Sequence, residues 1–382
     1  MVFLKKPLLN IIVTFSMLIP ALGRAAQPDS TAVQHKANSP ISEFAVPMSE
    51  AEKKDKERKE YIAHHLLDSH DFHLFSYGEG EHQTHVGFPL PVILWDEGLH
   101  IFSSSKFEHG EAVAESNGKY YKVSHHNGKI YRTDAQGTEI VNAKGHVENV
   151  QPLDFSITKN IFVILFTGLL IFMLFAGLGR SYKKNGSIAA GAGRFFEPLV
   201  LYIRDEIAIP NIGEKHYKKY MSFLLTTFFF IWFLNIFGLT PLGVNVTGNI
   251  AITAALAILT YLITTFTAKK SYWGHIFWMP GVPVLMKFVL APIELLGTFI
   301  KPFSLMIRLY ANMIAGHIVI MSLVALMYSA NHVVGGPLTF LLAFVLMILE
   351  VLVALLQAYI FTMLAALYFG SAVEEHHHDA HH

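Results

Sequence analysis

The chain has 382 residues, with 29 lysines and arginines against 29 aspartates and glutamates, no cysteine, 52% hydrophobic residues and only 15% charged ones. An ordinary soluble chain carries about a quarter charged residues, so this one lacks what a fully water-facing surface needs. Zero net charge argues against nucleic acid as a partner, because a phosphate binder concentrates a basic excess on one face. The absence of cysteine excludes disulfides, thiolate metal sites and thiol nucleophiles.

The amino end reads as an export signal. Lys5 and Lys6 precede an apolar run over 8–22, and the small residues Gly23 and Ala25 stand where a signal peptidase cuts. Pro20 ends the run early for a spanning helix, for which about 20 residues are typical. Residues 1–25 are expected to be a signal peptide, the alternative being a retained anchor, and 26–158 to form a module outside the cytoplasm.

That module has the composition of a water-soluble segment. Residues 49–61 are dense in charge, with Glu52 and Lys56, and Asp55 and Lys59, at helical i,i+4 spacing; such pairs support an exposed helix by a few tenths of a kcal/mol each. Further on, Lys119-Tyr-Tyr-Lys-Val and Lys129-Ile-Tyr-Arg-Thr flank Asn127-Gly128, a strong hairpin signal. His64, His65, His70, His73, His82, His85, His125 and His126 are of a type that binds zinc, copper or nickel. None stands in an HExxH or zinc-finger spacing, so they read as solvated histidines.

After Lys159 the chain turns apolar. Residues 161–178 carry no charge and suit a spanning helix. Arg180, Lys183, Lys184, Arg194, Arg204, Lys215, Lys218 and Lys219 follow, and so dense a basic loop belongs on the cytoplasmic side. Residues 223–242 run outward, 250–268 return, and Lys269-Lys270 lands on the same basic side. Two longer apolar stretches, 303–330 and 338–370, follow, about 42 and 50 Å long if helical. The hydrocarbon core is about 30 Å thick. The short Gly335-Gly336-Pro337 break makes the two an antiparallel pair, and their length makes it a steeply tilted hairpin.

Ionisable residues interrupt this apolar half. Between Met286 and Ala372 the formal charges are Lys287, Glu294, Lys301, Arg308 and Glu350, joined by His317 and His332. A charge at mid-bilayer costs about 2.5–3.5 kcal/mol on insertion scales, so each needs a function or a partner. Lys287, Glu294, Lys301 and Arg308 recur every seven residues and share a stripe wherever the helix is continuous; Pro292 and Pro302 are expected to interrupt it. Nine residues, about 900° of helix, place His317 on the face opposite Arg308 and about 13.5 Å along the axis. Asn312 stays on the arginine side, and Glu350 and Gln357 share a face of the partner helix.

This pattern suits a proton path with a break in it. Arginine does not release its proton in a protein, whereas histidine and buried glutamate exchange protons near neutral pH when their surroundings shift them there. The competing reading of the residues is structural, with Arg308 pairing Glu350 or Glu294 to hold helices together.

The run Lys301-Pro-Phe-Ser-Leu-Met-Ile-Arg308-Leu-Tyr-Ala-Asn312-Met-Ile-Ala-Gly316, followed by Leu356-Gln357-Ala-Tyr-Ile-Phe361, closely resembles the carboxy-terminal half of subunit a of the F-type ATP synthase. The resemblance covers about 290–375. It implies that Arg308 faces the ion-binding carboxylate of a rotating c-ring, that Asn312 and Gln357 line the route beside it, and that Glu294 belongs to a cytoplasmic half-channel. His317 and Glu350 occupy the outer half-channel pair, with acid and imidazole exchanged relative to many members. It further implies the c-ring, peripheral-stalk b subunits and membrane lipid as partners, and a bacterial inner membrane location with the carboxyl end cytoplasmic. No cofactor or metal is expected. The chain has no G-x-x-x-x-G-K-[ST] loop, so phosphoryl transfer belongs to another subunit.

The expected fold is an all-α polytopic membrane protein of about five spans, with a small extracytoplasmic α+β module. Residues 159–372 form the membrane domain and 373–382 a cytoplasmic tail. Two other functions compete. A secondary transporter commonly shows repeated halves, and the Arg308 segment has no second copy. A membrane-anchored metal-binding protein rests on the histidines and has no use for Arg308 or Glu350.

Overall fold

The computed structural model describes residues 68–77, 84–124, 127–142, 147–186, 191, 193–240, 244, 246–279, 281–329 and 335–374. The signal peptide, the charged helix over 49–61, His64, His65, His82, His125, His126, His332 and the tail from 375 lie outside the described residues, as do the side chains of His73 and His85.

The amino-terminal part is built of strands: β1 (Asp71–Tyr77), β2 (Thr84–Pro89), β3 (Pro91–Trp95), β4 (Leu99–Ser103), β5 (Ala114–Ser116), β6 (Lys119–Val123), β7 (Ile130–Thr133) and β8 (Leu153–Asp154). They form a β1-β2 hairpin and two three-stranded sheets, β4-β3-β8 and β5-β6-β7, with every pair antiparallel. The hairpin expected around Asn127-Gly128 is β6-β7, with Val123 opposite Ile130. Its loop is longer than a two-residue turn. Asn127 accepts a hydrogen bond from the Lys129 amide, and Gly128, at φ 67°, takes the left-handed conformation that glycine tolerates best. Val92, Leu94, Phe102, Phe107, Tyr121 and Ile130 fill a small core between the two sheets.

One histidine of this part departs from expectation. His70 is buried, not solvated, and its Nε2 meets the Asp154 carboxylate at 2.9 Å. The pair joins the incoming chain to the last strand just before the first long helix.

The helical part comprises α1 (Lys159–Asn185), α2 (Gly193–Tyr202), a π-helical turn (Ile203–Ala208), α3 (Ile209–Ile212), α4 (Tyr217–Leu239), α5 (Ile250–Thr267), α6 (Lys270–Phe277), α7 (Val284–Ser329) and α8 (Gly335–Val373). Thr158 caps α1 and Asn249 caps α5, each side chain accepting from an amide of the first turn. Among the described residues, four helical segments are long and apolar enough to cross a membrane: Lys159–Lys183, Tyr217–Leu239, Ile250–Thr267 and Phe340–Val373.

The longest helix, α7, starts earlier than the sequence suggests. It runs 46 residues, about 69 Å, straight through Pro292 and Pro302. Each proline removes one hydrogen bond to the carbonyl four residues back, but a spanning helix tolerates this when neighbouring groups supply donors. The stripe of charges spaced by sevens is therefore continuous.

Helices α7 and α8 are antiparallel. Lys301 lies over the Tyr368 ring, Asn312 bonds Gln357, and Gly316 touches Glu350. The pair packs against α4 and α5. Phe223, Phe228, Phe229, Leu305, Leu309, Phe361 and Phe369 anchor the shared core, while Phe299, Ile300, Phe303, Ile307, Leu349, Leu352 and Leu356 remain exposed.

Candidate functional site

Arg308 sits on the exposed side of α7 with Ser304, Ala311, Asn312 and Ala315 around it. Residues three and four apart share a helix face, so the guanidinium stands in a stripe of small and polar side chains between bulky apolar ones. Among the described residues it makes no ion pair, with Glu294 and Glu350 both out of reach. The structural reading, in which Arg308 pairs with Glu350 or Glu294, finds no such pair in the fold.

The other membrane cations do find partners. Lys287 stacks over Trp278 at 4.3 Å and Lys301 over Tyr368 at 5.7 Å from the ring centres, the geometry of cation–π attraction. Among the described residues Arg308 has neither a stacked ring nor a paired carboxylate.

One turn along from Arg308, Asn312 donates its side-chain amide to Gln357 Oε1 at 2.8 Å. Gln357 is buried. The bond fixes the rotation of α8 against the arginine face, so two residues expected near one another are joined directly.

His317 lies on the other side, as the nine-residue spacing requires. It is 7% exposed, against α4, where its Nε2 would be 3.3 Å from a Cβ placed at Gly238. Glu350 reaches across from α8 onto Gly316, where a Cβ would meet its Cδ at 2.7 Å. The acid and the imidazole thus occupy adjacent residues' ground on the inward side of α7. Neither glycine could carry a side chain without moving one of them.

Glu294 stands apart. It is half-buried, fourteen residues before Arg308, about 21 Å along α7. The Tyr272 hydroxyl of α6 is pushed up from its ordinary value by burial first, with Tyr261 and the Glu294 carboxylate adding to it. Just beyond is a narrow, open cleft lined by Thr260, Tyr261, Thr264, Tyr272, Thr298 and Lys301, with apolar residues such as Leu305 between them.

Sequence reasoning missed several of these partners. Gly316 was visible as part of a motif, but its use as a seat for Glu350 depends on the facing helix. Tyr272 and Tyr261 gave only the weak signal of hydroxyls among apolar residues. Asn235, whose Oδ1 accepts from Thr247 Oγ1 at 2.8 Å, is fully buried one turn before Gly238, and nothing in its local sequence marks it.

The family described as ATP synthase A chain matches residues 161–370, more than half of the chain, and a domain of unknown function matches residues 61–155. ATP synthase subunit a of Chloroherpeton thalassium is 40% identical over 237 residues, which are 60% of this chain and 70% of that one. The Myxococcus xanthus protein of the same name is 41% identical over 236 residues, 60% of this chain and 77% of that one. ATP synthase subunit a 2 of Chlorobaculum tepidum is 41% identical over 244 residues, 62% and 68%.

Proposed function

Because the chain belongs to the ATP synthase A chain family, we propose that it conducts protons as the stator of an F-type ATP synthase, with Arg308 as the barrier between two half-channels. The observation that carries this reading is the exposed guanidinium, which has no counter-ion among the described residues. A fixed cation in a membrane is costly unless paired, so its counter-charge comes from outside the chain. A carboxylate on a rotating c-ring supplies one.

In this reading a proton enters from the outer side past Glu350 and His317 and neutralises a ring carboxylate, which then turns through lipid. On returning to the stator it meets the cytoplasmic route at Glu294 and loses its proton as Arg308 stabilises the carboxylate. Arginine serves here because it holds its charge while carboxylates come and go. Asn312 and Gln357 keep the arginine face in register. Each proton crossing 100 mV supplies about 2.3 kcal/mol, so several combine to make one ATP.

The remaining assignments follow from the same reading. Residues 26–158 face outward, 159–372 span the inner membrane of a bacterium, and the carboxyl end is cytoplasmic, beside the peripheral-stalk b subunits. Replacing Arg308 by Ala tests the proposal: ATP-driven proton pumping in membrane vesicles is lost while the assembled complex persists. Normal pumping by that variant would remove the mechanism.

A further inference from the structure

Among the described residues the sheet β4-β3-β8 has one face in the core of the amino-terminal module and one face uncovered. Its inner positions, Val92, Leu94 and Phe102, are buried. The outer positions form two rows across the three strands. Trp95 pairs with Leu99 on one side and Leu153 on the other; Ile93 pairs with Ile101, and its carbonyl accepts from the Phe155 amide at 2.8 Å. Side chains alternate along a strand, so all six project from the same face. Five of them, Trp95, Leu99, Ile101, Leu153 and Phe155, are 42–62% exposed. An antiparallel sheet facing water on one side ordinarily shows polar residues there, and a contiguous apolar patch marks an interaction site.

The position of the sheet says what covers it. Its ladder runs on past β8, the Ile157 amide donating to Pro91 O at 3.1 Å, and α1 starts two residues later. The Phe155 row is thus within about 14 Å of extended chain from the spanning helix. The module is also held down. Lys159 N donates to Ser69 O, Asn160 N to Asp68 Oδ1, and Phe162 of α1 packs edge-on against the stacked Phe72 and Phe88 rings. Helix α1, so joined to the module, carries its own exposed apolar residues Leu165, Phe166, Leu169, Phe172 and Met173. Tryptophan with aliphatic neighbours is what the headgroup level favours, and apolar faces lying in the interface insert about 5–10 Å.

We propose that the outer face of β4-β3-β8 rests on the outer leaflet, with Trp95, Leu99, Ile101, Leu153 and Phe155 embedded at the headgroup–acyl boundary. The module is then a membrane-lying foot that fixes the tilt of α1, not a free domain on a tether.

The cysteine-free chain permits a direct test. Leu99→Cys and Ile101→Cys, with Glu115→Cys on β5 as an exposed control, are spin-labelled in the full-length chain within the assembled membrane sector in phospholipid vesicles. Labels on the sheet face should collide several-fold less with an aqueous nickel chelate than the control, and several-fold more with lipid-dissolved oxygen. Labels as open to the chelate as the control would overturn the proposal. So would labels shielded from both quenchers, which would mean that a protein covers the face.

Discussion

Gln357 receives the Asn312 side-chain amide at 2.8 Å, one turn from Arg308 and across the long hairpin. Hydrogen bonds between spanning helices measure about 0.6 kcal/mol on average and reach about 1–2 kcal/mol in favourable cases. Its importance is therefore one of orientation more than of stability. Asn312→Ala and Gln357→Ala should each slow ATP-driven pumping while leaving the assembled complex in place. The double variant should be no slower than the worse single one, because the second change removes a partner already lost. Additive losses in that cycle would show that the two residues act separately.

Gly316 seats the Glu350 carboxylate, and a methyl group there would meet Cδ at 2.7 Å. An alanine there would push the carboxylate off the Gly316 backbone. Gly316→Ala should therefore lower passive proton conduction through the membrane sector, read as dye response after a potassium diffusion potential. Combining it with Glu350→Asp, which shortens the acid by one methylene, should restore part of that conduction. Full conduction by Gly316→Ala alone would mean that the seat is not used.

The charged residues of the hairpin were legible because an ionisable group in an apolar run stands out against its cost. Their faces followed from helical arithmetic, which placed Arg308 opposite His317 and beside Asn312 correctly. Residue spacing could not reveal which groups meet on different helices, so the seats at Gly238 and Gly316 emerged only with the fold. Pro302 misled the boundary: a local breaker looks like an end, yet α7 runs through it because packing within the bundle outweighs one lost hydrogen bond. In β3, the sequence Val92-Ile93-Leu94 has no alternation to read, and its inner and outer faces separate only when paired with β4 and β8.

Gly370 shows how close two helices approach on the opposite flank of α8. A Cβ there would collide with the Asn211 carbonyl oxygen and would lie 3.0 Å from its carbon, all backbone that cannot turn aside. Gly297 on α7 has nothing within 4 Å of the same point. Overpacking of this kind costs about 1–3 kcal/mol, whereas glycine to alanine in an open helix gains about 0.5–1 kcal/mol. Gly370→Ala should lower the thermal midpoint of the detergent-solubilised sector, and Gly297→Ala should hold or raise it. Equal midpoints would place α8 farther from α3 than described.

The His70–Asp154 pair gives the amino-terminal module a dependence on pH. Burial alone would lower the His70 value, but the Asp154 hydrogen bond and charge, with Asp68 and Asp71 adding, outweigh it and raise it above 6.5. Asp154 is buried too, yet the His70 hydrogen bond leads the effects that bring it below 3.8. A raised histidine contributes fully below its unfolded value near 6.5 and loses that contribution as pH rises through the folded value. The lowered aspartate contributes above its unfolded value near 3.9 and loses it as pH falls through the folded one. Asp68, raised by burial, favours its protonated form, so its cost sets in as pH rises above its unfolded value near 3.9 and runs in the same direction as the His70 loss. Amide exchange of the segment around Ser69, whose carbonyl accepts from Lys159, should accordingly be slowest in mildly acidic solution. After correction for intrinsic rates it should speed up as pH rises past the His70 value. His70→Gln should flatten that rise, since glutamine keeps a hydrogen bond to Asp154 without titrating; an unchanged slope in the variant would assign the effect to Asp68 instead.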